Sequence, residues 1–185
     1  MTPRIETLAL VHQACWQELA KAPRNKAHAF RVMGLATVDG AVADLRSVVL
    51  REVLADERTL VFFTDARSPK VAQIQRQPAG TLLAWCERLS WQLRLRVRVL
   101  LEVETSGLAV SSRWARLKMT PAAQDYLSPL PPGAPVEHPL PERSTRDHFA
   151  VVQARVLLID WLELHAEGHR RAVFDAQGQG RWLTP

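Results

Sequence analysis

The sequence predicts a mainly β domain of the α+β class, a closed antiparallel barrel flanked by helices. Three observations lead there. Apolar runs of strand length recur at Phe30 to Val38, Ala41 to Leu54, Thr59 to Thr64, Thr81 to Trp85, Ser90 to Glu104, Phe149 to Leu164 and Arg170 to Phe174. Most of the links between them are of hairpin length, the first being Asp39-Gly40, a dipeptide that favours a tight reversal. Helical spacing is confined to the start, to the segment after the third run and to the middle of the chain. Six or seven strands joined in this way remove their unpaired edges by closing on themselves.

The first element is a helix over residues 4 to 21, where Ile5, Leu8, Val11, Cys15, Trp16 and Leu19 fall along one face and Thr2-Pro3 offers a cap and a first-turn proline. Pro23 ends it. The hairpin through Asp39-Gly40 follows, then a turn at Asp56-Glu57-Arg58 and the run to Thr64. Residues 68 to 77 read as a short helix with Ser68 as cap and Pro69 at its first position, stopped by Pro78-Ala79-Gly80.

In the run from Ser90 to Glu104, Leu93, Leu95 and Val97 alternate with Arg94, Arg96 and Arg98, so one face is buried and the other carries guanidinium groups. That row reads as a solvated or interface face paired with carboxylates of a neighbouring strand. Residues 108 to 127 are helical in two pieces split at Pro121. The segment 129 to 141 holds six of the twelve prolines and is a loop within the domain. A helical turn over Thr145 to His148 leads into the long run ending at Leu164. A hairpin through Ala166 to His169 and a turn at Gly178-Gln179-Gly180 close the chain at Arg181 to Pro185.

At 185 residues the chain suits one domain, 1–185. Every apolar stretch is broken by Arg, Glu or Asp before membrane-spanning length, and a signal peptide is not evident, so the expected location is cytoplasmic. Two cysteines, Cys15 and Cys86, without a CxxC or paired histidines argue against a disulfide framework or a structural zinc site; Cys86 reads as core. The net charge of +5 is spread along the chain, and a single phosphate would use two or three of those cations.

Three polar signatures sit where strands hand over to turns. In Arg46-Ser47-Val48-Val49-Leu50-Arg51 the two arginines project to opposite faces: Arg46 can serve a phosphate, Arg51 a substrate, and the backbone of the central residues can approach a flat ring. In Thr64-Asp65-Ala66-Arg67-Ser68-Pro69-Lys70 a strand ends and a helix begins, so backbone N–H groups at the positive end of the helix dipole meet hydroxyls and two cations, a phosphate cradle. In Ser90-Trp91-Gln92 the amide of Gln92 can donate and accept at once, which suits the pyrimidine edge of a flavin.

Taken together, with the amino-terminal helix before them and Trp182-Leu183-Thr184-Pro185 after them, these signatures resemble the pyridoxamine 5'-phosphate oxidase-like FMN-binding proteins, whose fold is an antiparallel split β-barrel. The resemblance covers most of the chain, is most specific from Arg46 to Arg98 and is loose between about 105 and 148. It implies FMN as cofactor, held in a groove between the subunits of a homodimer. It places Arg46 on the FMN phosphate, Val48 and Val49 (with Ser47 beside them) against the flavin through their backbone, Thr64, Ser68 and Lys70 on the phosphate and ribityl chain, and Gln92 on the ring. Arg51 stands where the vitamin oxidases carry a substrate-contacting lysine, and Arg170 resembles their substrate-phosphate arginine.

The departures are specific. Pro69 stands where a second phosphate-binding arginine is usual, with Arg67 as the compensating cation; Arg170-Arg171-Ala172-Val173 lacks the later His and Arg of the closing pattern; Leu164 sits where a tryptophan is expected, with Trp161 three residues earlier. The function expected is an FMN-dependent oxidoreductase acting on an unidentified small substrate, for which the cofactor supplies the chemistry and no protein nucleophile is needed. The alternatives are a flavin-binding module without turnover, a barrel holding haem or a deazaflavin as related split barrels do, and a basic barrel binding nucleic acid through Arg94, Arg96 and Arg98.

Overall fold

The structure, a computed structural model, describes residues 4–104, 107–138 and 148–185. Helix α1 spans Leu8–Lys21, one turn later than the spacing suggests, because Thr7 is the residue in extended conformation whose Oγ1 accepts from the Leu10 N–H at 3.3 Å. Thr2-Pro3 and all but His148 of the helical turn expected over Thr145 to His148 lie outside the described residues, as does the end of the proline-rich loop from 139 on. Val11, Cys15 and Leu19 recur at helical spacing and are fully buried.

Eight strands follow: β1 (Val32–Asp39), β2 (Val42–Leu54), β3 (Thr59–Asp65), β4 (Ala79–Cys86), β5 (Trp91–Glu104), β6 (Phe149–Glu163), β7 (Arg170–Asp175) and β8 (Gly180–Leu183). All pairings are antiparallel. The order β3-β2-β1-β4-β5-β6 is closed by a β3–β6 pairing, and β7 and β8 extend from β6 outside that ring. β6 makes this possible by changing partner along its length. Residues 149–155 pair with β3, residues 158–163 pair with β7, and β5 runs along the other edge. The final hairpin adds the eighth strand, one more than the sequence suggests.

β4 starts two residues before Thr81, so the residues that stop the preceding helix also open the strand. Gly80 explains it: a Cβ there would lie 2.9 Å from the Ala36 carbonyl oxygen, and only glycine lets β4 close against β1 at that point. The preceding helix, α2, spans Pro69–Arg76.

The alternation read in β5 is realised. Leu93, Leu95 and Val97 are buried while Arg94, Arg96 and Arg98 face out. Arg94 pairs with Asp160 of β6, as the sequence suggests; among the described residues Arg96 and Arg98 have no carboxylate partner. The main core lies inside the ring and takes Val11, Cys15 and Leu19 from α1 and Ile74 from α2. A second cluster of Val61, Phe149 and Val151 lies on the other side of β3 and β6, under Val110 and Leu117 of α3 (Leu108–Leu117) and Tyr126 of the 3-10 helix Pro121–Tyr126. β3 is therefore covered on both faces, which is why it reads as an unbroken apolar run.

Among the described residues the outer side of β2, β1 and β4 carries no such cover. Leu45, Val32, Leu83 and Trp85 are 65, 52, 41 and 44% exposed, and the ladder pairs Ala36–Leu45, Gly34–Ser47 and Gly34–Leu83 make them one surface. Cys15 and Cys86 are both buried free thiols, and burial pushes the Cys15 thiol far above its ordinary value. Among the described residues no helix is long and apolar enough to cross a membrane.

Candidate functional site

The β3–α2 junction gathers three of the expected residues into a triangle. Lys70 Nζ donates to Thr64 Oγ1 at 3.0 Å and to Ser68 Oγ at 3.1 Å, and the two hydroxyl oxygens are 3.2 Å apart. Thr64 and Ser68 are buried. Ser68 is the N-cap of α2 by position and extended backbone, yet its hydroxyl makes no capping bond and is given to this cluster instead. No carboxylate among the described residues is within ion-pairing distance of Lys70. Burial, then the charge of Arg46, hold its ammonium below the usual lysine value against weaker opposing pulls from Asp65 and Asp44.

Arg46 stands beside this triangle on the core side of β2. Its Nη1 donates to the Leu35 carbonyl at 3.2 Å and to Thr37 Oγ1, and its Nη2 to Gln73 Oε1 at 2.8 Å and to Asp44 Oδ2. Gln73 is buried on α2. It also accepts from Thr37 Oγ1 at 2.6 Å and donates from Nε2 to Asp44 Oδ2 at 2.8 Å, so every polar atom of its amide is used.

The β2–β3 ladder begins at Leu50–Phe62 and runs toward the 56–58 turn. Ser47, Val48 and Val49 therefore pair with β1 on one edge and have no β3 partner on the other. The two strands part here, with Arg46 on one side of the opening and Thr64 and Lys70 on the other. Backbone donors and acceptors on that edge remain available to a planar heterocycle. Val48 is buried, Val49 half-buried and Ser47 exposed. Gln92 is half-buried on the outward side of β5, opposite Trp85 of β4, and its amide has no hydrogen-bond partner among the described residues. Three strand spacings separate β2 from β5, roughly 14 Å over the surface.

The structure does not bring the other named cations to the triangle. Arg67 is committed elsewhere: Nε and Nη2 donate to the Asp65 carboxylate at 3.0 and 2.7 Å, and Nη1 and Nη2 reach the carbonyls of Pro129, Ser128 and Leu130. It ties the proline-rich loop to the end of β3. Arg51 sits at the bulge of β2, over the Phe63 ring at 5.8 Å, with Nη2 3.3 Å from the Tyr126 hydroxyl and Nε buried without a hydrogen-bond partner among the described residues. It thus faces the second cluster, on the side of the sheet opposite Arg46. Arg170 donates to Glu163 Oε2 at 2.8 Å and to the Ile5 carbonyl at 2.8 Å, and lies over the Trp161 and Trp182 rings. Arg4 shares Glu163 with it. Burial pushes the Glu163 carboxyl up, but the hydrogen bonds from the two arginines outweigh it and hold the group below its usual range.

Thr37, Asp44 and Gln73 hold Arg46 and were not singled out from the sequence, because they come from three different elements. Asp44-x-Arg46 was the one local signal: two residues apart on a strand, their side chains share a face. Tyr126, the partner of Arg51, gave none.

Residues 13–101 match the family model described as pyridoxamine 5'-phosphate oxidase, FMN-binding domain. A pyridoxine/pyridoxamine 5'-phosphate oxidase of Caulobacter vibrioides is 27% identical over 178 residues, covering 90% of this chain and 79% of the relative. Among solved structures, a pyridoxamine 5'-phosphate oxidase-related, FMN binding protein of Nostoc punctiforme superposes with a TM-score of 0.71 at 25% identity, over 94% of this chain and 96% of that one. PhzG of Burkholderia lata, solved with tetrahydrophenazine-1-carboxylic acid, superposes at 0.67 with 16% identity, over 100% of this chain and 95% of that one, a likeness of fold. The resemblance read from the sequence is borne out, and the fold is the split barrel of that family.

Proposed function

We propose, from the likeness of residues 13–101 to an FMN-binding domain and from the triangle at the β3–α2 junction, that this chain binds FMN. In this reading it acts as an FMN-dependent oxidoreductase on a small substrate. One observation carries the cofactor reading. Lys70 is a half-buried ammonium placed between two buried hydroxyls, beside Arg46 and without a carboxylate of its own among the described residues, so the cluster is short of one anion. A phosphate monoester supplies it. Thr64, Ser68, Lys70 and Arg46 are then the phosphate ligands, and the free edge of Ser47, Val48 and Val49 receives the ring. Bound flavin would supply two-electron exchange; the residues of this chain bind it, orient it and exclude water.

Arg51 and the Tyr126 hydroxyl form the second polar point, separated from the first by the β2 backbone. A guanidinium with one buried donor free suits an anionic group on the substrate. Arg170 keeps a stabilising place between Glu163 and two tryptophans, and serves substrate only by leaving it. A homodimer fits the uncovered outer face of β2, β1 and β4, whose exposed Leu45, Val32, Leu83 and Trp85 are neighbours. Gln92 lies at the margin of that face, where a flavin between subunits would meet it.

Purified protein should carry a flavin absorption spectrum with FMN as the released chromophore, and FMN added to stripped protein should raise its melting temperature. No binding, or equal affinity in an Arg46→Ala, Lys70→Ala double variant, would remove this reading. Bound FMN that is never reduced or reoxidised by amines, alcohols or quinones would leave the binding module and discard the oxidoreductase. Trp85→Glu should convert the protein to monomer by sedimentation; an unchanged mass would take the dimer away from this face.

A further inference from the structure

Asp44 occupies a singular place in the network around the phosphate triangle. It lies two residues before Arg46 on β2 and opposite Thr37 on β1, so its side chain is on the same side of the sheet as the guanidinium. Its Oδ2 accepts from Arg46 Nη2 and from Gln73 Nε2. It is also close enough to Lys70 to favour the charged ammonium. One carboxylate is therefore in contact with the arginine and within the field of the lysine, the two cations that the FMN reading assigns to phosphate.

The two ends of this ion pair are unequally placed. The Asp44 side chain is 44% exposed and that of Arg46 only 19%. When Arg46 turns to another anion, Asp44 keeps its bond from Gln73 and gains water. Arg46 in turn remains held by Gln73 Oε1, Thr37 Oγ1 and the Leu35 carbonyl, so its head shifts without losing its seat. The exchange is cheap on both sides, as expected where one partner of an ion pair faces solvent.

We propose that Asp44 is an internal stand-in for the cofactor phosphate: it holds Arg46 while the site is free, gives it up when phosphate arrives, and so sets the affinity of the site. This rests on the FMN reading for the identity of the ligand. Gln73 is the positioning residue that lets the exchange happen in place, since it is bonded to both partners.

The test is a double-mutant cycle between Asp44 and Arg46, read as FMN affinity by quenching of flavin fluorescence at fixed ionic strength. Inorganic phosphate, read as a rise in melting temperature, is the second probe. Asp44→Asn keeps the side-chain oxygen that Gln73 uses and removes the charge. It should tighten FMN about two- to fivefold, the scale of one solvent-facing ion pair. The gain should disappear in the Arg46→Ala background, and Asp44→Ala should behave as Asp44→Asn does. Weaker or unchanged binding in both Asp44 variants overturns the stand-in, because Asp44 then only positions Arg46 or does nothing. A gain that persists with Arg46→Ala overturns it too, since the carboxylate would be acting through its general field. If phosphate shows the predicted cycle and FMN does not bind, the stand-in holds and the FMN reading falls; if neither binds any variant, both fall.

Discussion

Replacing Lys70 by Met should make the ligand-free protein more stable and its grip on FMN weaker. The ammonium is half-buried, and its hydrogen-bond partners among the described residues are the Thr64 and Ser68 hydroxyls at 3.0 and 3.1 Å. Burial first, and Arg46 second, work against its charge. Methionine has similar length and no charge, and the two hydroxyls it leaves behind already lie 3.2 Å from each other and can bond mutually. Relief of an uncompensated, partly buried charge is worth on the order of 1 kcal/mol, which in a chain of this size raises the melting temperature by about 2–4 °C. The same change removes a charge-assisted hydrogen bond to phosphate, about 1.5–3 kcal/mol, or roughly ten- to a hundredfold in FMN affinity. The pH dependence has a definite sign. The folded lysine loses its proton below the ordinary 10.5 and the unfolded one at it, so between the two values the unfolded chain binds more protons and wild-type stability rises with pH. The advantage of Lys70→Met should therefore shrink as pH climbs toward 10.5. Thermal melts of ligand-free protein at neutral and alkaline pH, beside fluorescence titration with FMN, read both effects. A variant that is less stable than wild type at neutral pH and binds FMN equally well would show that the lysine is a structural partner of its two hydroxyls and not an anion site.

Two further outcomes follow from partly buried and buried titratable groups away from the triangle. His12 accepts from Trp16 Nε1 at 3.1 Å and lies against Phe174, and burial, ahead of Arg58, holds its imidazole below the usual 6.5 against the opposing pull of Asp175. Its contribution is complete above 6.5 and lost as pH falls through the folded value, so urea midpoints should drop as pH falls below 6.5 in wild type and vary less in His12→Gln. Glu163→Gln leaves Arg4 and Arg170 facing an amide and should cost roughly 1–2 kcal/mol after allowing for solvent screening, seen as a lower urea midpoint. Because the folded carboxyl titrates below the usual 4.5, that deficit should be full above 4.5 and close as pH falls through the folded value.

What the sequence showed of the fold came from alternation and turn chemistry, which act over a few residues. β5 is the clearest case, because its buried Leu93, Leu95 and Val97 and outward arginines are fixed by the pleat alone. The change of partner along β6 is different in kind: nothing within Phe149–Glu163 says that its first half meets β3 and its second half β7. The site divides along the same line. Thr64, Ser68 and Lys70 are six residues apart at most, and a strand-to-helix junction brings them together whatever the rest does. Arg51 meets Tyr126 across 75 positions, a contact that no local spacing encodes. Cations in a sequence all look equally available, and the fold decides which are already spent. Arg67 is neutralised by Asp65 two residues before it, and Arg170 by Glu163 across the β6–β7 hairpin. Arg46 shares Asp44 with solvent and a glutamine, whereas among the described residues Arg51 and Lys70 have hydroxyls and no carboxylate as hydrogen-bond partners. A ligand anion gains most from the charges the protein has left uncompensated. Lys70, with Arg46 able to turn toward it, is the place in the described residues where that gain and an open strand edge coincide.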